Sequence, residues 1–297
     1  MTDPAAPLKN LKKDKDLLVG IDSDGCAFDT MEIKQKECFI PNTIRFFNLQ
    51  PIAKFAREAV EFVNLYSRWR GINRWPALIM VFDLLEERAE VRQRGVRLPD
   101  ITPLREWVSR ETKLSNESLR HEAERTGAPL LATALAWSIR VNADVAETVH
   151  DIPPFPFMRE SLVKLAGMAD VIVVSQTPYE ALAREWEEHG VDRHVKVVAG
   201  QEMGSKSEHL ALAIAGRYEP SQVLMIGDAL GDLKAARDNA VSFYPINPGH
   251  EEASWKRFHD EALSKFANGC YAGDYEAALV AEFEGFLPSS PPWSTRE

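Results

Sequence analysis

The stretch "LLVGIDSDGCAFDT" (residues 17–30) runs from an apolar segment into Asp22 and Asp24, one residue apart, and then Gly25. A short apolar run bounded by polar residues reads as a buried strand. Two carboxylates at the end of such a strand are costly unless something neutralises them. Either the pair caps a turn, or it holds a cation and does chemistry.

Three more runs resemble the first: "VIVVS" (171–175), "VKVVA" (195–199) and "VLMIG" (223–227). Each is short and β-rich, as strands buried on both faces are. A fifth, "AVSFYPI" (240–246), is interrupted by proline. Helical patterns lie between them, in "RESLVKLAGM", "PYEALAREWEEHG", "KSEHLALAIAGRY" and "LGDLKAARDNA". Alternation of strands and helices predicts an α/β fold with a doubly wound parallel sheet, whose ligands bind outside the carboxyl ends of the strands. Residues 31–152 differ. They hold no good strand run, while Phe55, Ala59, Phe62, Val63 and Tyr66, then Leu78, Phe82 and Leu85, then Leu131, Leu135 and Ile139 fall at helix spacing. "SNESL" (115–119) offers a helix cap. The expected organisation is a Rossmann-like core over 1–30 and 153–297, with an inserted all-helical domain over 31–152. "DIPPFPF" (151–157) is a proline-rich return, and "LPSSPPWSTRE" reads as a loose tail.

The chain has 297 residues, 45% of them hydrophobic, enough for a sizeable core, and a formal net charge of -10. That balance argues against generic binding to nucleic acid or an anionic membrane. It leaves open a small anionic substrate, because a metal or a lysine can reverse the field within one cleft. The three cysteines, Cys26, Cys38 and Cys270, form no metal-ligand pattern or disulfide framework. The polar start "MTDPAAPLKNLKKDKD" has no signal-peptide character, and no apolar run is long enough to span a bilayer. The expectation is a cytoplasmic protein; oligomeric state is not legible.

Polar residues gather where the strand runs end: Asp22 and Asp24 after the first, Ser175, Gln176 and Thr177 after the second, Asp228 and Asp232 after the fourth. "GSKSE" puts Lys206 at a helix start. A parallel sheet brings these ends to one edge. Four converging carboxylates repel one another unless a cation joins them, and an all-oxygen site suits Mg²⁺. One aspartate can then attack phosphorus, with Lys206 and the Ser175 hydroxyl neutralising the phosphoryl oxygens. The second carboxyl, two residues on, can move the proton.

These residues resemble the haloacid dehalogenase superfamily of phosphohydrolases, with four motifs in order across the sheet domain. The resemblance implies Asp22 as nucleophile and Asp24 as general acid/base. Ser175 and Lys206 match the second and third motifs, and with Gln176 they would meet the substrate phosphoryl group. Asp228 and Asp232 match the acidic fourth motif, which holds Mg²⁺ together with Asp22 and the backbone carbonyl of Asp24. The helical insert matches the family's cap, and Asp29 fits the flap that leads to it. An acid at position 24 points to phosphate esters; Cys26 departs from the threonine common there. The implied activity is Mg²⁺-dependent hydrolysis of a small phosphorylated metabolite through an aspartyl-phosphate. The alternatives are a phosphomutase, or an idle binding or regulatory module of the same fold.

"GQEMGSKS" (200–207) approaches a phosphate-binding loop but has Ser205 where that motif needs glycine before lysine. A receiver domain shares the aspartate, hydroxyl and lysine but is shorter and lacks the insert. "NLYSRWRGINRW" (64–75) crowds Arg68, Arg70 and Arg74 with Trp69 and Trp75. Arg68 and Arg74 are candidate clamps for a second anionic or ring group of the substrate; ordinary packing of arginine stems on tryptophan faces is the competing reading.

Overall fold

A computed structural model describes residues 3–294. Five strands, β1 (Leu17–Ile21), β2 (Ala169–Val174), β3 (Val197–Ala199), β4 (Val223–Gly227) and β5 (Ser242–Pro245), form one sheet. Its order is β3-β2-β1-β4-β5, and every pairing is parallel. All of β2 and β4 is buried, because helices cover both faces, and this is why the runs read as continuously apolar.

Register decides what the strand ends bring together. Ile21 pairs with Val173 on one side and Ile226 on the other. The residues following β1, β2 and β4 therefore leave the sheet side by side. The chain steps outward from β1 to β2 and β3, then returns to the other side of β1 for β4, so the switch in strand order lies between β1 and β4. That is where open α/β sheets form their crevice.

Three strands differ from the apolar runs in their limits. β2 starts earlier than 171 and stops before Ser175, because Ala169 and Asp170 pair with Leu17 and Leu18. β3 starts at Val197 because Val195 still closes the preceding turn, its amide donating to Asp192 O, although the Lys196 amide already donates across to Val171 O in β2. β5 ends at Pro245 instead of being interrupted by it. As an edge strand it gives up no ladder bond to the missing N–H.

Contacts divide the chain into an α/β unit, Met1–Met31 with Asp151–Leu287, and a helical unit, Glu32–His150 with Pro288–Glu297. The helical unit contains helices Ala53–Asn64, Arg74–Glu87, Thr102–Arg110, Asn116–Thr126 and Pro129–Thr148. Its core is built on Trp75, with Trp107 and Trp137 packed edge-on at 5.5 and 5.9 Å. The helix at 116 starts as its sequence implies: the Ser115 side chain accepts from the Ser118 amide, and Gly127 ends it in the left-handed region. In Pro129–Thr148 the periodicity is right but the inward face is not the 131/135/139 stripe. Leu131, Ala134, Trp137, Ser138 and Val141 face inward, and Ile139 is exposed. The bulk of Trp137 takes the core side and rotates Ile139 out.

The tail is not loose over its described part. Trp293 packs edge-on against Phe62 at 5.7 Å, and the Arg88 guanidinium lies 4.5 Å over its ring. The Arg68 amide donates to Pro288 O at 3.2 Å. One half-buried aromatic anchor offsets the poor propensity of "SSPP". Among the described residues no helix is long and apolar enough to cross a membrane.

Candidate active site

Asp22 leaves β1 at the central position of the sheet. Its amide donates to Ile226 O at 3.0 Å, extending the ladder by one bond, so the carboxylate is fixed by the strand itself. The chain then turns sharply: Ser23 O accepts from the amides of Cys26, Ala27 and Phe28, with Gly25 at φ 75°. Only glycine adopts that conformation at little cost.

Lys206 comes from a different element. "SKSE" is a capping box: the Ser205 side chain accepts from the Glu208 amide and Glu208 reaches back to the Ser205 amide. This starts helix Lys206–Ile214 at Lys206, whose ammonium reaches both Asp22 Oδ2 and Asp232 Oδ1 at 2.6 Å. Asp232, in the first turn of Leu230–Asp238, accepts with its other oxygen from the amides of Asp228 and Ala229 at 3.2 and 3.0 Å. It thus acts as a helix-start acid and as a partner of Lys206 at once. Gly227 makes this possible: a Cβ there would lie 2.3 Å from Asp232 Cβ.

Oxygens of Asp22, Asp228 and Asp232 lie within 4.8 Å of one another, and all three residues are buried. Burial pushes the Asp22 carboxyl well up, Lys206 pulls it down, and Asp232 and Asp228 push it up again. Burial alone would lower the Lys206 ammonium, but Asp22 and Asp232 outweigh it and hold it above the ordinary lysine range. Three carboxylates against one ammonium leave two negative charges. A divalent, oxygen-preferring cation fits both the donor set and that charge. The Asp24 side chain is not part of this group.

Asp24 is held elsewhere. Its Oδ1 accepts from Thr30 Oγ1 at 2.5 Å and its Oδ2 from Thr177 Oγ1 at 2.9 Å. Ser175 follows β2, buried, and its Oγ accepts from the Thr177 amide at 3.1 Å. Gln176 is exposed, its amide donating to Ser175 O and Gly204 O. Ser23, between the two aspartates, donates to Glu185 at 2.7 Å and accepts from Trp186 Nε1 at 2.9 Å. Glu185 carries no site signal in the sequence, Thr30 only the polarity of residues 29–30, and Thr177 is placed at the strand end there, within "SQT", but without a role.

Cys26 is a core residue. It is fully buried, its thiol pushed up by burial and then by Asp228 and Asp22. Its Sγ lies 3.7 Å from Ile226 O, and its carbonyl accepts from Trp255 Nε1 at 2.7 Å. Such a thiol is inert.

In the helical unit the basic-aromatic segment divides. Trp75 is buried in the core and Trp69 packs on Phe62 at 6.1 Å. Arg74 begins a helix, donates to Ser138 and Asn142, and lies 5.1 Å over Phe39. Desolvation lowers it to about 10. Arg68 has an exposed side chain.

No protein-family sequence model matches the chain, and no curated protein does. Several solved structures are similar to it at low identity. A haloacid dehalogenase-like hydrolase from Streptococcus pneumoniae is 13% identical, over 90% of this chain and 98% of its own, at TM-score 0.45. A protein from Lactobacillus delbrueckii subsp. bulgaricus, named by assignment a phosphoglycolate phosphatase, is 14% identical, over 87% and 100%, at 0.49. A haloacid dehalogenase-superfamily hydrolase of subfamily IA from Geobacter sulfurreducens is 16% identical, over 79% and 89%, at 0.41.

Proposed function

We propose that this chain, whose α/β unit has the haloacid dehalogenase fold, is a phosphatase that hydrolyses a small phosphate monoester through a phosphorylated Asp22. The observation that supports this most is the convergence of Asp22, Asp228 and Asp232 with Lys206 at the carboxyl ends of β1 and β4.

Asp22 attacks phosphorus and the bond to the leaving oxygen breaks, while Asp24 gives that oxygen its proton. Water then attacks the phosphorus of the aspartyl-phosphate. Asp24 takes its proton, the bond to Asp22 breaks, and inorganic phosphate leaves. Lys206 and the Ser175 hydroxyl face the negative phosphoryl oxygens. Asp22, Asp228 and the Asp24 carbonyl would hold Mg²⁺, with Asp232 fixing the turn and Lys206 behind them. Bound there, the ion supplies positive charge to the phosphoryl group and lets Asp22 stay ionised despite its burial. Gln176 lies beside the phosphoryl subsite. Of the two arginines proposed as substrate clamps, Arg74 is tied to Ser138 and Asn142, whereas Arg68 has an exposed side chain.

Phosphate release from 4-nitrophenyl phosphate and from a panel of phosphorylated metabolites tests this, with and without Mg²⁺, beside Asp22→Asn. Metal-dependent release that Asp22→Asn abolishes is expected. No release from any ester overturns the activity; full activity in Asp22→Asn overturns the nucleophile. Transfer to a sugar hydroxyl in preference to water would make the enzyme a phosphomutase instead.

A further inference from the structure

We infer that Thr177 is a positioning residue for proton transfer by Asp24, an inference that rests on the phosphatase reading above. Thr177 lies two residues beyond Ser175, just ahead of helix Tyr179–Glu188, and it touches two parts of the site at once. Its amide donates to Ser175 Oγ at 3.1 Å, and its hydroxyl donates to Asp24 Oδ2 at 2.9 Å. One backbone position therefore orients the hydroxyl expected to meet the phosphoryl group and the carboxyl expected to protonate the leaving oxygen.

The backbone of Thr177 is itself fixed. Its carbonyl accepts from the Gln201 amide at 3.1 Å, and a Cβ on Gly200 would come within 2.9 Å of that carbonyl oxygen. The two loops that follow β2 and β3 are thus in close contact at this point. A β-branched side chain adds stiffness about χ1. With Thr30 on Oδ1 and Thr177 on Oδ2, the plane of the Asp24 carboxyl is pinned from both sides. Threonine suits this position for a chemical reason. A hydroxyl both donates and accepts, so the contact survives when the Asp24 carboxyl gains a proton and when it gives one up. Lysine could only donate. Valine, of the same shape, could do neither.

A series of substituted phenyl phosphates in Mg²⁺ separates this role from simple support of the fold. 4-Nitrophenolate leaves without a proton, whereas phenolate from unsubstituted phenyl phosphate benefits from one. The expected result for Thr177→Val, and for Thr177→Ala as a second variant, is a loss of ~10- to 100-fold in kcat/KM on phenyl phosphate, with less than ~3-fold on 4-nitrophenyl phosphate. Thr177→Ser should stay within about threefold of the wild type on both. Equal losses on the two esters, or none, overturn the proposal while leaving the phosphatase reading intact. Absence of turnover by the wild type on the whole series overturns both.

Discussion

The Lys206 ammonium lies 2.6 Å from Asp22 Oδ2, at a place where both side chains are largely shielded from water. A buried carboxylate of this kind cannot stay ionised without a counter-charge. Lys206→Met removes it and leaves three buried acids facing one another. Turnover on an aryl phosphate should fall by about 10²–10³. The α/β unit should also lose about 3–5 kcal/mol, as when one partner of a buried pair is deleted. Chemical denaturation and steady-state rates measure the two effects separately. Lys206→Arg should not restore activity, because a planar fork does not fit between two oxygens 2.6 Å from a single nitrogen. Wild-type rates in either variant would contradict the assignment.

Mg²⁺ should stabilise the folded protein even without substrate. A ligand that binds only the native state at a hundred times its Kd adds about 2.7 kcal/mol. The thermal midpoint should therefore rise with Mg²⁺ and fall back with a chelator. Asp228→Asn, which removes one of the three clustered carboxylates, should blunt that rise. An equal rise in Asp228→Asn would place the ion elsewhere.

Much of this site was legible because strand ends in a parallel sheet must share an edge. Asp22, Ser175, Lys206, Asp228 and Asp232 could be gathered from four separated motifs with no structure at hand. Thr30 could not, and Thr177 could be placed at the edge but given no role, since a threonine in a loop carries no spacing signal. Their meaning comes from the Asp24 carboxyl that lies between them. Spacing alone does not decide the inward face of helix Pro129–Thr148 for a related reason. Leu135 and Ile139 fit the helical period as well as Ala134 and Trp137 do, and the neighbours of Trp137, among them Trp75, Phe39 and Phe47, decide which stripe is covered. Trp293 was hidden inside a stretch of serines and prolines whose composition speaks for disorder.

Acid stability should depend on Asp170, at the opposite end of β2 from the site. Buried, it accepts from the amides of Asp14 and Lys15 and from Tyr218 Oη, and it pairs with Lys196 at 2.8 Å. Burial pushes its carboxyl up, but Lys196, Tyr218 and the two amides outweigh that and hold it below the usual value. A group with a depressed folded-state pKa contributes stability above its unfolded pKa of about 3.9 and loses it as pH falls through the lower folded value. Wild-type stability should accordingly drop below about pH 4. Asp170→Asn should be less stable at neutral pH by about 2–4 kcal/mol and lose less on acidification. Urea unfolding at pH 7 and pH 3 checks both; parallel pH curves for the two proteins would refute the role.

Gly227→Ala is the sharpest test of how the sheet builds the site. β4 ends at Gly227, and the Asp232 side chain folds back over it to meet the amides of Asp228 and Ala229. An alanine Cβ would lie 2.3 Å from Asp232 Cβ and 2.4 Å from its carboxyl carbon, too close for any rotamer change to relieve. Either β4 shifts or the first turn of helix Leu230–Asp238 moves away from it, and in the second case Asp232 is carried off and Lys206 loses one of its two carboxylate partners. The expected cost is about 1–3 kcal/mol of stability, with a larger proportional loss of turnover than of fold. Val223→Ala, at the opposite end of the same buried strand, provides the control. It removes core volume, so it should destabilise by a similar amount while leaving the rate of the folded fraction near that of the wild type. If both variants lose rate only in step with stability, Gly227 is a packing residue and not a device for placing Asp232.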